Sequence, residues 1–364
     1  MNILILTGKF NMGHYSAAQS LLQELTAAYP DAAVTVQDFL TFAIPRMDSA
    51  VYKIFQVAVT RAHRLYNVHY RMTESGTGDV LPAYAWPLLG AMEELLALEE
   101  PDVVISTHPL CTQLVGRCKK RGSFDGVLIT CVTDVTGHGE WICQGCDGYM
   151  VAAETVRDAL VQRGIDPRHI TVTGIPVRRQ FKESCRQERE EDGLRQLLIM
   201  GGGPGLLPKD DDFYEGVNDL PGVQTTLITG SNQKLFERLV GRYPNILVLG
   251  YTQDVYAYML RSDLVLSKPG GSTTFEAIFS ATPMLAWEPR WEQERRNAAF
   301  LEQEGVGRVA ARNTESCLTA LRELLGDPTA LATMGENMRS LRSRFEDRGL
   351  EKLMERLMEE RVRV

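Results

Sequence analysis

The sequence has no apolar run as long as the roughly 18–20 residues that a membrane-spanning helix needs, so it predicts no transmembrane segment. Its start, MNILILTGKF, lacks a basic segment before the apolar run and lacks a small-residue cleavage site, so we expect a buried strand there and no signal peptide. Basic residues are outnumbered, with 39 Lys and Arg against 47 Asp and Glu and a net charge of -8. This balance argues against a nucleic-acid partner.

Disulfide and metal-ligand patterns are also sparse. The seven cysteines, an odd number spread over 364 residues, indicate a reducing, cytoplasmic location. Cys143 and Cys146 form one CxxC pair without a second pair or a histidine at zinc spacing, so we interpret them as structural. The run from Asp210 to Asp212 contains a DxD, but its polar, proline-flanked setting favours a solvated loop over a metal site.

Short apolar runs alternate with longer helical patterns along the chain. The runs 2–7 (NILILT), 127–133 (VLITCVT) and 194–200 (LRQLLIM) are nearly continuous, which is typical of strands buried on both faces of a parallel sheet. Amphipathic stretches such as 14–29 separate these runs. Because strand and helix patterns alternate throughout, the sequence predicts an α/β fold with doubly wound, Rossmann-like sheets.

The chain length and a break in the pattern predict two domains. Residues 182–193 (KESCRQEREEDG) are almost all polar or charged, and a second set of strand patterns follows them. We therefore expect an N-terminal domain at 1–178 and a C-terminal domain at 179–364. The helical pattern at the end of the chain allows a last helix, about 345–364, to pack back on the first domain.

Two glycine-containing loops follow predicted strands. The first, TGKFNMGHYSAA, contains Gly8, Gly13 and His14 and leads into a helix, whose N-terminus favours an anion. His14 stands where a P-loop needs lysine, and GxGxxG is absent, so the alternative is a tight turn with an exposed histidine. The second loop, IMGGGPG, has glycines from Gly201 to Gly203, which let the backbone approach either a phosphate or the other domain.

A third loop has the features of a diphosphate site. The predicted strand 263–267 runs into the segment from Lys268 to Gly271, and Ser272 can cap the helix that follows. The free N–H groups and the dipole at such a helix end favour phosphate groups. Glu276 lies about one turn into this helix, where its carboxylate can accept hydrogen bonds from two ribose hydroxyls; the alternative is a glutamate on the helix surface.

Seven motifs occur in a fixed order between about residue 2 and residue 310. They are GHYSAA at 13–18, STHP at 106–109 with Gln113, TDVTGHGEW at 133–141, GIPVRRQF at 174–181, GGGPG at 201–205, SKPGGSTTFEA at 267–277 and QERRN at 293–297. Together they resemble the motifs of the monogalactosyldiacylglycerol synthase and processive diacylglycerol glucosyltransferase family. The members of this family are GT-B glycosyltransferases, related to the enzyme that forms lipid II for peptidoglycan.

The resemblance implies both a fold and an activity. It implies a GT-B fold, with two Rossmann-like domains that face a cleft, and transfer of a hexose from a UDP-sugar to a lipid acceptor, diacylglycerol in the first place. The N-terminal domain would take the lipid and the C-terminal domain the UDP-sugar. Because the UDP-sugar is a substrate, and helix N-termini and glycine backbones can stabilise the leaving diphosphate, neither a metal nor another cofactor is expected.

The resemblance also implies roles for individual residues. His14 would be the base that takes the proton of the acceptor hydroxyl, and Asp134, after a predicted strand, is a second candidate base or an orienter of His14 unless it only forms a strand-end turn. Glu276 would hold the ribose, and Gln293 and Glu294 the sugar hydroxyls. The other implied donor-side residues are Gly201, Gly202, Gly203, Lys268, Gly270, Gly271, Ser272 and Asn297. The implied acceptor-side residues are Gly13, His108, His138 and Trp141.

The sequence departs from the family pattern near the predicted sugar. Trp291 and Glu292 stand where the family usually has Pro-Gly, and Thr282 replaces a usual glycine. These changes bear on the choice of sugar more than on the binding of UDP. Two alternative functions stay open: another enzyme that processes UDP-sugars, such as an epimerase, and a non-catalytic protein that senses UDP-sugars.

A lipid acceptor requires contact with a membrane. Residues 42–72 carry five basic side chains against one acid, Asp48, and aromatic residues lie between them. This pattern predicts a segment that binds an anionic membrane surface, with a core helix that carries long arginine side chains as the alternative. We therefore expect a cytoplasmic protein, bound peripherally to the inner face of the cell membrane and without an evident protein partner.

Overall fold

A computed structural model of the chain describes residues 1–8, 12–44, 70, 74, 85–183 and 193–362. The chain forms two compact units. The first comprises Met1–Arg179, Trp291–Gln293 and Phe345–Val364, and the second comprises Gln180–Arg290 and Glu294–Arg344. The end of the chain, which the sequence predicts as a last helix, thus belongs to the first unit. The assignment of one domain to the acceptor and the other to the donor stays a prediction.

The first unit contains a six-stranded parallel sheet with the strand order β2-β1-β3-β4-β5-β6. Helices lie between successive strands, as a doubly wound topology requires. Its strands are β1 (Asn2–Thr7), β2 (Ala33–Asp38), β3 (Val103–Ser106), β4 (Val127–Cys131), β5 (Gly148–Val151) and β6 (Ile170–Val172). Its helices are α1 (Met12–Ala28), α2 (Phe39–Ala43), α3 (Leu88–Glu99), α4 (Pro109–Arg121) and α5 (Glu154–Gln162). A short helix, α6 (Arg179–Glu183), begins at Arg179 of this unit, and its other residues belong to the second unit.

The second unit repeats this plan with the strand order β12-β11-β10-β7-β8-β9. Its strands are β7 (Arg195–Met200), β8 (Val223–Ile228), β9 (Ile246–Leu249), β10 (Leu264–Ser267), β11 (Met284–Trp287) and β12 (Gly307–Ala310). Its helices are α7 (Asp211–Asn218), α8 (Gln233–Leu239), α9 (Val255–Arg261), α10 (Gly271–Phe279), α11 (Glu292–Gln303), α12 (Thr314–Leu325) and α13 (Pro328–Ser343). The chain then returns to the first unit with α14 (Gly349–Val362).

The strands of the first sheet are buried on both faces. Leu4 and Leu6 of β1 belong to one apolar cluster, together with side chains of α3 and α4. Ile3 and Ile5 belong to another, together with side chains of α1 and α14. Alternate residues of one strand therefore enter two different cores, which explains the nearly continuous apolar runs in the sequence. The predicted α/β fold is confirmed.

One prediction about local structure is wrong. The DxD run was expected in a loop, whereas Asp211 and Asp212 form the first turn of α7, where carboxylates are favoured by the positive helix end. Asp211 also forms an ion pair with Arg242, whose nitrogen lies 2.9 Å from its carboxylate. Sequence spacing could not reveal this partner, because Arg242 is 31 residues away.

Packing of α14 on the first sheet yields a prediction for stability. Leu353 is 1% exposed, and one of its methyl carbons lies 3.2 Å from the position of a Cβ on Gly148. We expect Leu353→Ala to lower the free energy of unfolding by about 2–5 kcal/mol, because the cavity would not fully collapse. Urea unfolding should show this loss, whereas Leu98→Ala, at a leucine that is 70% exposed, should change stability by less than about 0.5 kcal/mol. Equal effects of the two substitutions would contradict the packing.

Candidate active site

In the first unit, His14 lies in the first turn of α1 and is buried, with 9% of its surface exposed. Its Nδ1 lies 2.8 Å from the hydroxyl oxygen of Thr133, just beyond the end of β4. Its ring packs edge-on against that of His108, with 4.8 Å between centroids, and lies 6.0 Å from the ring of Trp141. The alternative of an exposed histidine in a tight turn is therefore wrong, and the structure brings the predicted base close to two predicted acceptor-side residues, His108 and Trp141.

Burial controls the protonation of the two neighbouring histidines. It lowers the pKa of His14 to about 4, and a hydrogen bond to the backbone of Thr107 offsets this only in part. Burial also lowers the pKa of His108 well below its usual range, and the nearby His14 adds to the effect. Both rings are therefore neutral at pH 7. A neutral His14 can accept a proton, although a low pKa makes it a weak base.

The other two predicted histidines hydrogen-bond to the backbone. His108 precedes α4, and its Nδ1 accepts the N–H of Leu110 at 3.2 Å. His138 accepts the N–H of Glu140 at Nδ1, so its Nε2 carries the hydrogen and donates to the backbone oxygen of Tyr70 at 2.7 Å. The His138 ring is fully buried and stacks on Tyr70 at 3.8 Å. Both nitrogens of His138 are therefore occupied by hydrogen bonds to the backbone, which hold the ring in place.

Trp141 follows in the short 3₁₀ helix Gly139–Trp141 and is 1% exposed. Its indole N–H finds no acceptor among the described residues. Gly13 lies one residue before His14 in α1 and is half-buried. Of the implied acceptor-side residues, Gly13 thus lies in the first turn of α1, His108 lies just after β3, and His138 and Trp141 lie between β4 and β5. Their roles stay predictions.

Asp134 belongs to a pair of carboxylates that the sequence analysis did not identify. Asp134 is buried and accepts a hydrogen bond of 3.0 Å from the side-chain amide of Gln293, a residue that belongs to the first unit. Partial burial and the negative charge of Asp134 raise the pKa of Glu140 to about 7. Glu140 lies in the TDVTGHGEW motif, but its separation from Asp134 along an irregular loop cannot show that the two charges interact.

In the second unit, parallel pairing brings the two predicted donor loops to one edge of the sheet. Strands β7 and β10 are neighbours, with Met200 opposite Ser267, so both chains leave the sheet side by side. The Ser267 hydroxyl donates to the backbone oxygen of Met200 at 2.9 Å. The segments that follow are Gly201 to Gly203 and Lys268 to Gly270, and α10 begins at Gly271.

The glycine loop after β7 is packed tightly against its own unit. Gly205 has a φ of +63°, and a Cβ there would lie 1.9 Å from the backbone oxygen of Thr229. A Cβ on Gly201 would lie 2.5 Å from the backbone nitrogen of Leu206. Both glycines are therefore required by the folding of the loop itself, an explanation that the sequence analysis did not consider. Gly202 differs, because the nearest atom to its added Cβ would be Cε of the Lys268 side chain, at 3.4 Å.

The remaining predicted donor residues surround the start of α10. Lys268 forms a hydrogen-bonded ion pair with Glu294, with 2.9 Å between Nζ and Oε1. Asn297 is fully buried and its side-chain amide donates to the backbone oxygen of Pro269 at 3.1 Å. The donor-side role that the resemblance implies for Asn297 stays a prediction. Glu276 lies on α10 and is half-buried, as is Ser272 in its first turn.

Neither a metal centre nor a membrane-spanning helix is found in the part of the chain that the structure describes. Within those residues, no group of three or more His, Cys, Asp or Glu side chains is arranged to hold a metal ion. Cys146 places its sulfur 3.1 Å from the hydroxyl of Thr130, and Cys143 is buried. The helices between residues 12 and 362, outside the undescribed gaps, include none that is long and apolar enough to cross a membrane.

Comparison with known proteins places this arrangement in a class. Glycotransferase of kitacinnamycin has a TM-score of 0.66 at 17% identity, with 98% of each chain covered. MurG of Acinetobacter baumannii has a TM-score of 0.64 at 13% identity, covering 98% of this chain and 99% of that one. A UDP-GlcNAc 2-epimerase from Neisseria meningitidis has a TM-score of 0.59 at 13% identity, covering 99% of this chain and 100% of that one. Together with the two parallel sheets, these likenesses confirm the predicted GT-B fold.

The sequence comparisons show which proteins of that class the chain resembles. Residues 14–177 match the family model of monogalactosyldiacylglycerol (MGDG) synthase. The processive diacylglycerol beta-glucosyltransferase of Bacillus licheniformis is 27% identical, over 93% of this chain and 91% of that protein. The processive diacylglycerol beta-glucosyltransferase of Staphylococcus carnosus is 28% identical, over 94% of this chain and 89% of that protein. The chain is therefore similar to monogalactosyldiacylglycerol synthases over part of its first unit and to processive diacylglycerol glucosyltransferases over most of its length, and the predicted resemblance is confirmed.

The depressed pKa of His14 predicts a pH dependence of stability. Between its ordinary pKa of 6.5 and about 4, the unfolded chain binds a proton at this residue that the folded protein does not. The contribution of His14 to the free energy of unfolding is therefore complete above pH 6.5 and is lost as the pH falls toward 4. At about 1.4 kcal/mol per pKa unit, the loss is about 3 kcal/mol. Urea unfolding at pH 7 and at pH 4 should show that the free energy of unfolding of the wild type falls by this amount more than that of His14→Asn. A difference that is independent of pH would contradict the burial of the ring.

Proposed function

We propose that the protein transfers a hexose from a UDP-sugar to diacylglycerol. The observation that carries the proposal is the likeness to processive diacylglycerol beta-glucosyltransferases over about nine-tenths of both chains. The chain also carries the glycine loop after β7, the loop before α10 and the Gln-Glu pair of α11. The full motif set of both units is thus present, which favours an active enzyme over a sensing protein.

The second unit supports binding of the nucleotide. The N–H groups at the start of α10 and the neighbouring glycine backbone are suited to the two phosphates, and they need no metal ion to stabilise negative charge that develops on them. Glu276 would accept hydrogen bonds from the ribose hydroxyls. Glu294 would accept hydrogen bonds from the sugar hydroxyls, because one of its carboxylate oxygens has no partner among the described residues.

The first unit would activate the acceptor. The acceptor hydroxyl oxygen attacks the anomeric carbon of the sugar, the bond from that carbon to the diphosphate breaks, and the hydroxyl proton passes to a base. His14 is neutral at pH 7 and can take this proton at a ring nitrogen. A base with a pKa of about 4 is weak, so Asp134, next to a glutamate with a pKa of about 7, is kept as the second candidate.

A product assay tests this activity directly. The purified protein would be incubated with UDP-glucose, UDP-galactose or UDP-N-acetylglucosamine, each with and without diacylglycerol, and lipids and nucleotides would be separated. Glycosyl-diacylglycerol together with UDP is expected, only when diacylglycerol is present. Conversion of the UDP-sugar without an acceptor would favour an epimerase, a chemistry found on the same fold. Unchanged UDP-sugar with every acceptor would favour the sensing protein.

The role proposed for His14 yields a kinetic prediction. We expect His14→Ala to lower turnover by at least about a hundredfold, the contribution of a general base, while UDP binding measured by calorimetry is retained. His169→Ala, a matched change at a histidine that contacts Glu360, should leave turnover unchanged. Retained turnover in His14→Ala would make Asp134 the leading base, and lost UDP binding would assign His14 to the diphosphate.

Association with an anionic membrane surface is part of the proposal and depends on the sequence alone. Of the segment 42–72, residues 45–69 and 71–72 lie outside the described residues. Its basic and aromatic pattern supports a peripheral association with the cytoplasmic face of the membrane.

Vesicle binding tests this part of the proposal. Arg61→Glu with Arg64→Glu should release the protein from anionic vesicles in a sedimentation assay, because each charge contributes about 1 kcal/mol near such a surface. Lys209→Glu with Lys234→Glu changes the charge equally at two exposed residues of the second unit and should leave binding unaltered. Equal sedimentation of the folded Arg61, Arg64 variant would assign the segment to the core.

A further inference from the structure

We propose that Lys268 positions the donor sugar indirectly, by holding the Glu294 carboxylate so that its free oxygen faces the sugar hydroxyls. The inference rests on the proposed function, since it assumes a UDP-sugar in the second unit. The alternative is that Lys268, which lies in the loop before α10, binds the phosphates directly. Lys268 would thus be a positioning residue for the reaction and Glu294 the residue that touches substrate.

The first argument is the asymmetry of the Glu294 carboxylate. Its Oε1 is bound by Nζ of Lys268 at 2.9 Å, whereas its Oε2 is buried and has no hydrogen-bond partner among the described residues. Glu294 is 4% exposed, so water does not solvate that oxygen freely. An unsatisfied buried carboxylate oxygen is costly, and ligand hydroxyls are suitable donors for it. The orientation of Oε2 depends on the bond that fixes Oε1.

The second argument is that the Lys268 side chain is itself held. Its Cε would lie 3.4 Å from a Cβ on Gly202, so the aliphatic part of the side chain runs close over the glycine loop. On α11, Glu294 and Asn297 are three residues apart and thus share a face, and Asn297 binds the backbone of Pro269, the residue after Lys268. One helix face therefore holds both the side chain of Lys268 and the backbone beside it.

The third argument concerns charge. The Lys268 side chain is 20% exposed and that of Glu294 6%, so removing the lysine would leave a mostly buried carboxylate. Another cation lies within electrostatic range: burial and Arg290 lower the pKa of Arg312, while Glu294 raises it. The guanidinium of Arg312 donates to the backbone oxygen of Glu288. Lys268 is the cation that the structure places in contact with Glu294, and this engagement makes its ammonium less available to a phosphate.

Calorimetry with UDP and with a UDP-sugar separates positioning from phosphate binding. UDP-glucose and UDP-galactose would both be titrated without acceptor, and the tighter one would be used with the variants. If Lys268 acts through Glu294, Lys268→Met should weaken UDP-sugar binding by about tenfold or more, a typical loss for charged hydrogen bonds, and leave UDP affinity unaltered. Glu294→Gln should show the same pattern, and the double variant should lose no more than either single variant.

Three controls keep the result interpretable. Lys234→Met makes the same change at an exposed lysine and should bind both ligands like the wild type. Lys268→Arg should recover part of the UDP-sugar affinity, because a guanidinium can also bind Oε1. Glu276→Ala should weaken UDP itself, which shows that the assay detects loss of nucleotide contacts. Thermal unfolding of each variant checks that the second unit is folded.

Several outcomes would overturn the inference. An equal loss of UDP and UDP-sugar affinity in folded Lys268→Met would mean that the lysine binds the diphosphate directly. Additive losses in the double variant would mean that Lys268 and Glu294 act independently. Failure of Lys268→Arg to recover any affinity would contradict a role that only requires a cation at Oε1. If the wild type binds neither UDP nor a UDP-sugar, the proposed function itself fails, a result distinct from the other three.

Discussion

Parallel pairing of neighbouring strands is the constraint on which the candidate site depends. In a parallel sheet the carboxyl ends of all strands lie at the same edge. Residues that follow neighbouring strands therefore meet there, even when they are far apart in the sequence. In the first unit, His14, Thr107 and Thr133 follow β1, β3 and β4, which are adjacent in the sheet. In the second unit, the loops after β7 and β10 meet because Met200 is registered opposite Ser267. The chemistry is thus assembled from strand ends.

Burial then decides what these residues can do. Burial keeps His14 neutral, contributes to the raised pKa of Glu140, about 7, and makes a counter-ion necessary for Glu294. The same burial commits His138 to the backbone, because a buried ring nitrogen without a partner would be costly. A motif residue can therefore be fixed in place by hydrogen bonds to the backbone, as His138 is.

Much of the fold was predictable because the apolar runs report it directly. A strand covered on both faces is apolar at almost every position, as β1 and β4 are, and this pattern requires parallel sheets with helices on either side. The motif order also predicted the family resemblance, since seven motifs in sequence are specific. Local polarity was a weaker guide: Asp211 was expected in a loop but starts a helix and pairs with Arg242.

By itself, the sequence determined the strands, most of the helices, the order of the motifs and hence the family resemblance, because these follow from residue type and spacing along the chain. Only the tertiary structure decided which neighbours each site residue has. It showed that Gly205 is required by the carbonyl oxygen of Thr229, that Glu140 lies within the field of Asp134 and that Lys268 binds Glu294. Such pairings depend on strand register and on which charged side chains are buried. Neither can be predicted from the spacing of residues along the sequence.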